Sequence, residues 1–182
     1  MEAAAPWYER AGAEYVGLVD PMHRVSALYN LVNVPSAVWI DEAGRVRRID
    51  EGTYATVHKM GDFEFGRDDY APMVADWVAN GEASEYLKPA GSLEIAQKTA
   101  DEGKAEAAFV LASHFKSQGD EARAERYWAM AQKLNKDSWN YHRQDWAYTP
   151  EEAGANWQKK VETLDKPYYK PIEDIDVAED GE

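Results

Sequence analysis

The chain has 182 residues, 45% of them hydrophobic, including 7 Trp and 11 Tyr; this suffices for one ordinary domain or two small ones and argues against global disorder. Its 34 Asp and Glu outnumber 20 Lys and Arg to give a net charge of -14, a surface that repels nucleic-acid phosphates and anionic lipid headgroups, so neither nucleic-acid nor membrane partners are expected. Cysteine is absent, which excludes disulfides, thiolate-ligated metals and a cysteine nucleophile within the chain.

Met1 to Pro6 carries no basic leader region, and no apolar run reaches the roughly 18 residues of a membrane span, so a cytoplasmic location is the expectation. Tyr15 to Val19 is a short apolar run that reads as a strand. Asp20-Pro21 reads as a helix cap followed by proline at the first helical position. Val25, Leu28, Tyr29 and Val32 then recur at helical spacing, predicting one buried stripe closed by Asn33. Ala37 to Ile40 and Arg45 to Ile49 read as two strands joined by the turn Asp41-Glu42-Ala43-Gly44. Arg45, Arg47 and Arg48 form the only short basic cluster and read as a solvated strand face. Glu51 to Asp69, mixing Gly, Asp and aromatic residues, is expected to be a long loop. A helix over residues 70–79 carries Met73, Val74, Trp77 and Val78 on one side and ends at Asn80-Gly81.

Beyond a boundary between Gly81 and Gly91 the pattern becomes wholly helical. Ser92 is placed to cap a helix containing Leu93, Ala96 and Ala100. A helical pair over 104–117 and 121–134 turns at Gly119-Asp120. A further helix starts near Ser138 with Trp139 and Trp146. Thr149-Pro150-Glu151-Glu152 has the capping-box pattern, opening a helix with Ala153, Trp157 and Val161 on one face. Residues 166–182 read as an extended acidic tail, disordered from Glu173 onward.

The residues Leu18-Val19-Asp20, Tyr29-Asn30, Asn33-Val34-Pro35-Ser36 and Val38-Trp39-Ile40-Asp41-Glu42 with Gly44 and Arg45 resemble the thioredoxin-like superfamily. The likeness is to its TlpA/ResA and redoxin (AhpC/TSA) branches. In that family a helix leads into a loop with a cis-proline, followed by the hairpin of the last two strands. Pro35 matches the cis-proline position, and Ser36 stands where the family usually has Thr. The resemblance implies a candidate substrate loop of Val34, Pro35 and Ser36, in which the backbone of residue 34 is open to an extended peptide. On the residues alone, Pro35 also fits a trans turn before an edge strand.

Under this resemblance, residues 1–81 are a partial thioredoxin-like domain lacking its N-terminal strands and cysteine-bearing helix. The family separates the strand at Tyr15 from the strand at Ala37 by an upstream strand. Without it, unpaired edges imply direct pairing of the two, self-association through exposed edges, or a longer natural protein. Lys104 to Lys136, with Ala108, Leu111, Ala112, Phe115, Gly119, Ala124, Trp128 and Ala131 at its packing positions, resembles a tetratricopeptide repeat. An ordinary helical hairpin packed through alanines fits the same residues. The expected architecture is therefore a partial α/β thioredoxin-like fold followed by an all-α tetratricopeptide-like segment over 91–165.

His23, His58, His114 and His142 form no metal-binding pair, and Ser113 and His114, being adjacent, point to different faces. Glu64, Asp68 and Asp69 lack the spacing of a calcium loop; capping by Asp68 or Asp69 accounts for them. The segment His142-Arg143-Gln144-Asp145-Trp146 either lines a groove or locks the C-terminal helices together. The other aromatics read as core. No catalytic residue, metal site or cofactor is assigned. Two functions compete: a non-catalytic module binding protein or peptide partners, and the C-terminal portion of a redoxin-family thiol-disulfide oxidoreductase or peroxidase whose cysteine lies upstream.

Overall fold

The computed structural model describes residues 4–176, the side chains of Met60 and Phe63 excepted, as a mixed α/β fold. Among these residues are eight α-helices and two two-stranded antiparallel sheets. The β-branched and aromatic run β1 (Ser36–Ile40) pairs with β2 (Val46–Glu51), Trp39 opposite Arg48, with a bulge between Trp39 and Ile40. The Asp41 carboxylate fixes the turn by accepting from the backbone N–H groups of Ala43 and Arg45 at 3.0 and 2.9 Å, as Asp does in such turns. Those contacts, led by the Arg45 N–H, hold its carboxyl below the usual range.

Arg47 and Arg48 are buried, contrary to the expected solvated face. Arg47 donates to Glu82 at 2.6 Å on one side of the hairpin, where Lys88 N–H bonds Arg47 O along the strand edge. Arg48, on the other side, donates to Asp50 at 2.5 Å, to the Tyr86 carbonyl at 2.9 Å and to Asp174. Charges this deep persist only when paired, and both are paired by segments remote in sequence.

Segment 51–69 is not one long loop. It contains a second hairpin, β3 (Val57–Met60) and β4 (Phe63–Gly66), turning at Gly61-Asp62 with Gly61 at φ +63°. Then α3 (Tyr70–Asn80) buries Tyr70 and Met73, while Val74 and Val78 are exposed. Asp69 precedes α3 without capping it, because its carboxylate pairs with Arg67.

The N-terminal portion departs further from expectation. The first helix, α1, is Ala5–Ala11, and Tyr15 to Val19 is irregular rather than a strand. Among the described residues no ladder partner reaches it: β1 pairs with β2 alone, so the two segments do not pair directly. The helix after Asp20 shrinks to α2 (Arg24–Leu28), flanked by left-handed His23 and Asn30. The anticipated buried stripe is lost, with Val25 and Leu28 exposed.

In the helical part, residues 91–99 are irregular, so Ser92 caps nothing. Thr99 and Glu102 instead form a reciprocal capping box for α4 (Ala100–Ser117). Helix α5 (Glu121–Leu134) packs back on α4 through Ala108, Ala112, Ala124 and Ala131 around Phe109 and Trp128. Leu111 lies off this seam and is exposed. Helices α6 (Trp139–Trp146) and α7 (Pro150–Val161) follow; Pro150 opens α7, but Thr149 makes no side-chain cap.

The segment after Lys166 is not a free tail. Ile172 is buried with Trp39, Tyr70 and Met73, and α8 (Glu173–Asp176) sets Asp174 on Arg48 and Asp176 on Arg67. The remainder of the expected disordered end lies outside the described residues. The chain thus crosses from the α/β part to the helices and returns to the sheet. Asn140, which donates to the Leu31 carbonyl at 2.7 Å, and His23, which meets Gln144 at 3.2 Å, join the two parts.

Candidate functional site

The Asn33-Val34-Pro35-Ser36 loop leads directly into β1, and Asn33 organises it. Fully buried, Asn33 donates through Nδ2 to the Tyr168 carbonyl at 3.0 Å and accepts from the Val34 N–H at 2.9 Å. Ser36 Oγ donates to the Asn33 carbonyl at 2.8 Å. The Val34–Pro35 peptide bond is cis. The Pro35 carbonyl accepts from Gly52 N–H at 2.9 Å, and the Val34 carbonyl accepts from the Tyr169 hydroxyl at 2.9 Å. Both backbone polar groups of Val34 therefore already have partners within the chain. The open backbone that the family resemblance implies at residue 34 is covered by the returning segment.

Tyr169 also meets the Tyr54 hydroxyl at 3.0 Å, and its ring packs on Gly52. A side chain at Gly52 would meet that ring at 3.0 Å, and the backbone there has φ +70°, so glycine is required twice over. Burial, reinforced by the Tyr54 contact, pushes the Tyr169 phenol well above its ordinary pKa, so it stays a neutral donor.

Beside this loop an aromatic groove of about 660 Å³ opens between the β3–β4 hairpin and α7. Its wall is a run of edge-to-face rings: Tyr54 against Phe65 at 6.0 Å, Tyr54 against Tyr169 at 6.1 Å, Tyr169 against Tyr168 at 4.5 Å and Tyr168 against Trp157 at 5.8 Å. Gly154 leaves part of the lining bare of side chain, and among the described residues no Asp or Glu lines it. Its size and apolar lining match ordinary small-molecule or peptide sites.

Arg143 on α6 supplies the groove's cation. Its Nη2 donates to the Tyr168 hydroxyl and lies 3.4 Å from Asn33 Oδ1, while its buried Nε has no hydrogen-bond partner. Segment 142–146 thus does both things its sequence allowed. Arg143 lines the groove, whereas Gln144 and Asp145 lock α6 to His23 and to Gln132. His142 is driven down to about 4 by burial, with Lys160 adding to the effect, and packs on Trp146.

The other candidates do not converge. Among the described residues no group of three or more His, Asp or Glu is placed to hold a metal. Glu64 pairs with Lys59 and Asp69 with Arg67, and Ser113 Oγ has no partner, His114 included. The groove rings were missed because Tyr54 and Phe65 lay in a presumed loop and Tyr168 and Tyr169 in a presumed tail. One signal was available: an aromatic pair bracketed by Pro167 and Pro171, out of place in a solvated tail. No helix among the described residues is long and apolar enough to cross a membrane. Comparison with protein-family models, with curated proteins and with solved structures finds no match to this chain.

Proposed function

We propose that the chain is a non-catalytic protein-interaction module that docks an extended peptide in the groove between the β3–β4 hairpin and α7. The observation that carries this reading is the ring wall itself, Tyr54, Phe65, Trp157, Tyr168 and Tyr169, drawn from four separate stretches of sequence. Ring faces and edges left open toward solvent offer large apolar contact at little entropic cost, as recognition surfaces do. The thioredoxin-like ancestry of the α/β part and the repeat-like character of α4 and α5 belong to the same proposal. They are supported by the order helix, proline loop, hairpin and by the alanine seam. Display of random peptides against the protein tests it: Trp157→Ala should abolish enrichment of the peptides that wild type selects, and equal enrichment by both proteins would contradict it.

A second reading, the C-terminal portion of a redoxin-family oxidoreductase, is favoured by one observation. Val16 and Leu18 are 86% and 83% exposed, just where the family resemblance places a sheet strand. Apolar side chains in such a run are covered when a neighbouring strand is present. The intact mass of the native protein in its source cells separates the two. A mass well above 20.6 kDa, with cysteine in the added part, supports the oxidoreductase; a mass equal to it removes that reading.

A further inference from the structure

In a protein of net charge -14, a cation without a carboxylate is unusual, and Arg143 is one. The other arginines that are buried or half-buried all hold acids: Arg47 has Asp41 and Glu82, Arg48 has Asp50 and Asp174, and Arg67 has Asp69 and Asp176. Arg10, Arg24 and Arg126, which pair with no carboxylate among the described residues, are exposed. Among the arginines of the described residues, Arg143 alone is half-buried with no carboxylate in ion-pair range. Among the described residues no acid lines its groove, and its only polar contacts are a phenol and an amide oxygen.

Resting on the docking reading above, we propose that this groove binds the C-terminus of a partner peptide, the terminal carboxylate on Arg143 and an apolar or aromatic last side chain against Trp157 and Tyr168. Charge complementarity selects the anion: a guanidinium with unused donors binds a carboxylate by charge-assisted hydrogen bonds. The count of cations selects its charge. A phosphate dianion is ordinarily met by several basic groups, and Arg143 is the only one lining the groove. The lining also selects a chain end over an internal Asp or Glu. An internal residue would carry a peptide group on each side into a ring-walled groove, where unpaired polar groups are costly; a chain end carries one. Gly154, where an added side chain would meet nothing within 4 Å, gives the incoming backbone room to approach.

The test compares the peptide Gly-Ser-Gly-Ser-Leu-Phe with a free terminal acid and as its terminal amide, by titration calorimetry against wild type, Arg143→Gln and Arg143→Lys. Wild type should bind the acid about tenfold more tightly than the amide. Arg143→Gln should bind both at the weaker level, and Arg143→Lys should keep part of the preference. Circular dichroism shows whether each variant is folded; if Arg143→Gln is not, Arg143→Lys and the acid-to-amide ratio on wild type decide. Equal binding of acid and amide by wild type, or a ratio unchanged in a folded Arg143→Gln, overturns the carboxylate assignment while leaving the groove as a docking site. Binding of neither peptide overturns both.

Discussion

Two side chains show how single residues couple remote parts of this chain. Arg48, 1% exposed, joins β2 to the carbonyl of Tyr86 and to Asp174, and Asp50 passes the contact on to Tyr70 and Trp39. Removing one partner of a buried ion pair leaves the other's charge uncompensated, so Arg48→Ala should destabilise the protein by about 3 kcal/mol. Urea denaturation measures this; a loss below about 1 kcal/mol would mean that solvent reaches the site. His142 makes a separate prediction in pH. Its folded-state pKa of about 4 lies below the ordinary 6.5, so as pH falls through 6.5 the unfolded chain takes up a proton that the folded chain refuses. Stability should therefore be flat above pH 7 and decline between pH 6.5 and 4. In His142→Gln that part of the decline should vanish, as read by melting temperature across the same range. Below about pH 4 the lowered carboxyls of Asp41, Asp69 and Asp176 take over, since they lose their partners only on protonation.

Among the elements, α4 and α5 were the most legible in the sequence and the N-terminal segment the least. Ala108, Ala112, Ala124, Trp128 and Ala131 have zero to 3% exposure because small residues at helical spacing leave one way for two helices to approach closely. Filling that seam should be costly: Ala112→Leu should destabilise by about 1–3 kcal/mol in chemical denaturation, and a neutral result would refute close packing there. The first hairpin was equally legible, from its β-branched run and its Asp-initiated turn. The second was missed although Gly61-Asp62 is a hairpin signal, because strands of four residues give too little alternation to stand out. Tyr15 to Val19 failed for a different reason. Local propensity favours a strand, but a strand needs a ladder partner, and whether one exists is not a local property. The site was half legible. The cis bond before Pro35 agrees with the motif, but the loop's three residues do not line the groove, and its cover, Tyr169, and the groove's rings come from segments that composition assigned to solvent.

Across the whole molecule, the returning segment is what makes one structure of two parts. Ile172 completes the core around Trp39, and Tyr168 and Tyr169 lie against the proline loop while forming the groove wall. Ile172→Ala should therefore cost about 3 kcal/mol and loosen the groove as well, seen as weaker peptide binding in a protein that still folds. The exposed apolar stretch from Tyr15 to Leu28 is a second surface, on a part of the chain that does not line the groove. Replacing Val16 and Leu18 with lysine should reduce binding of a hydrophobic dye and any concentration-dependent association, leaving peptide affinity unchanged. The seven tryptophans allow the central claim, that the groove is where a partner docks, to be tested in one experiment. In a 1H–15N spectrum titrated with Gly-Ser-Gly-Ser-Leu-Phe, the indole N–H signal of Trp157 should shift most, with Trp7 and Trp77 unmoved. Shifts confined to Trp7 would place docking on the exposed N-terminal stretch and contradict the assignment of the groove.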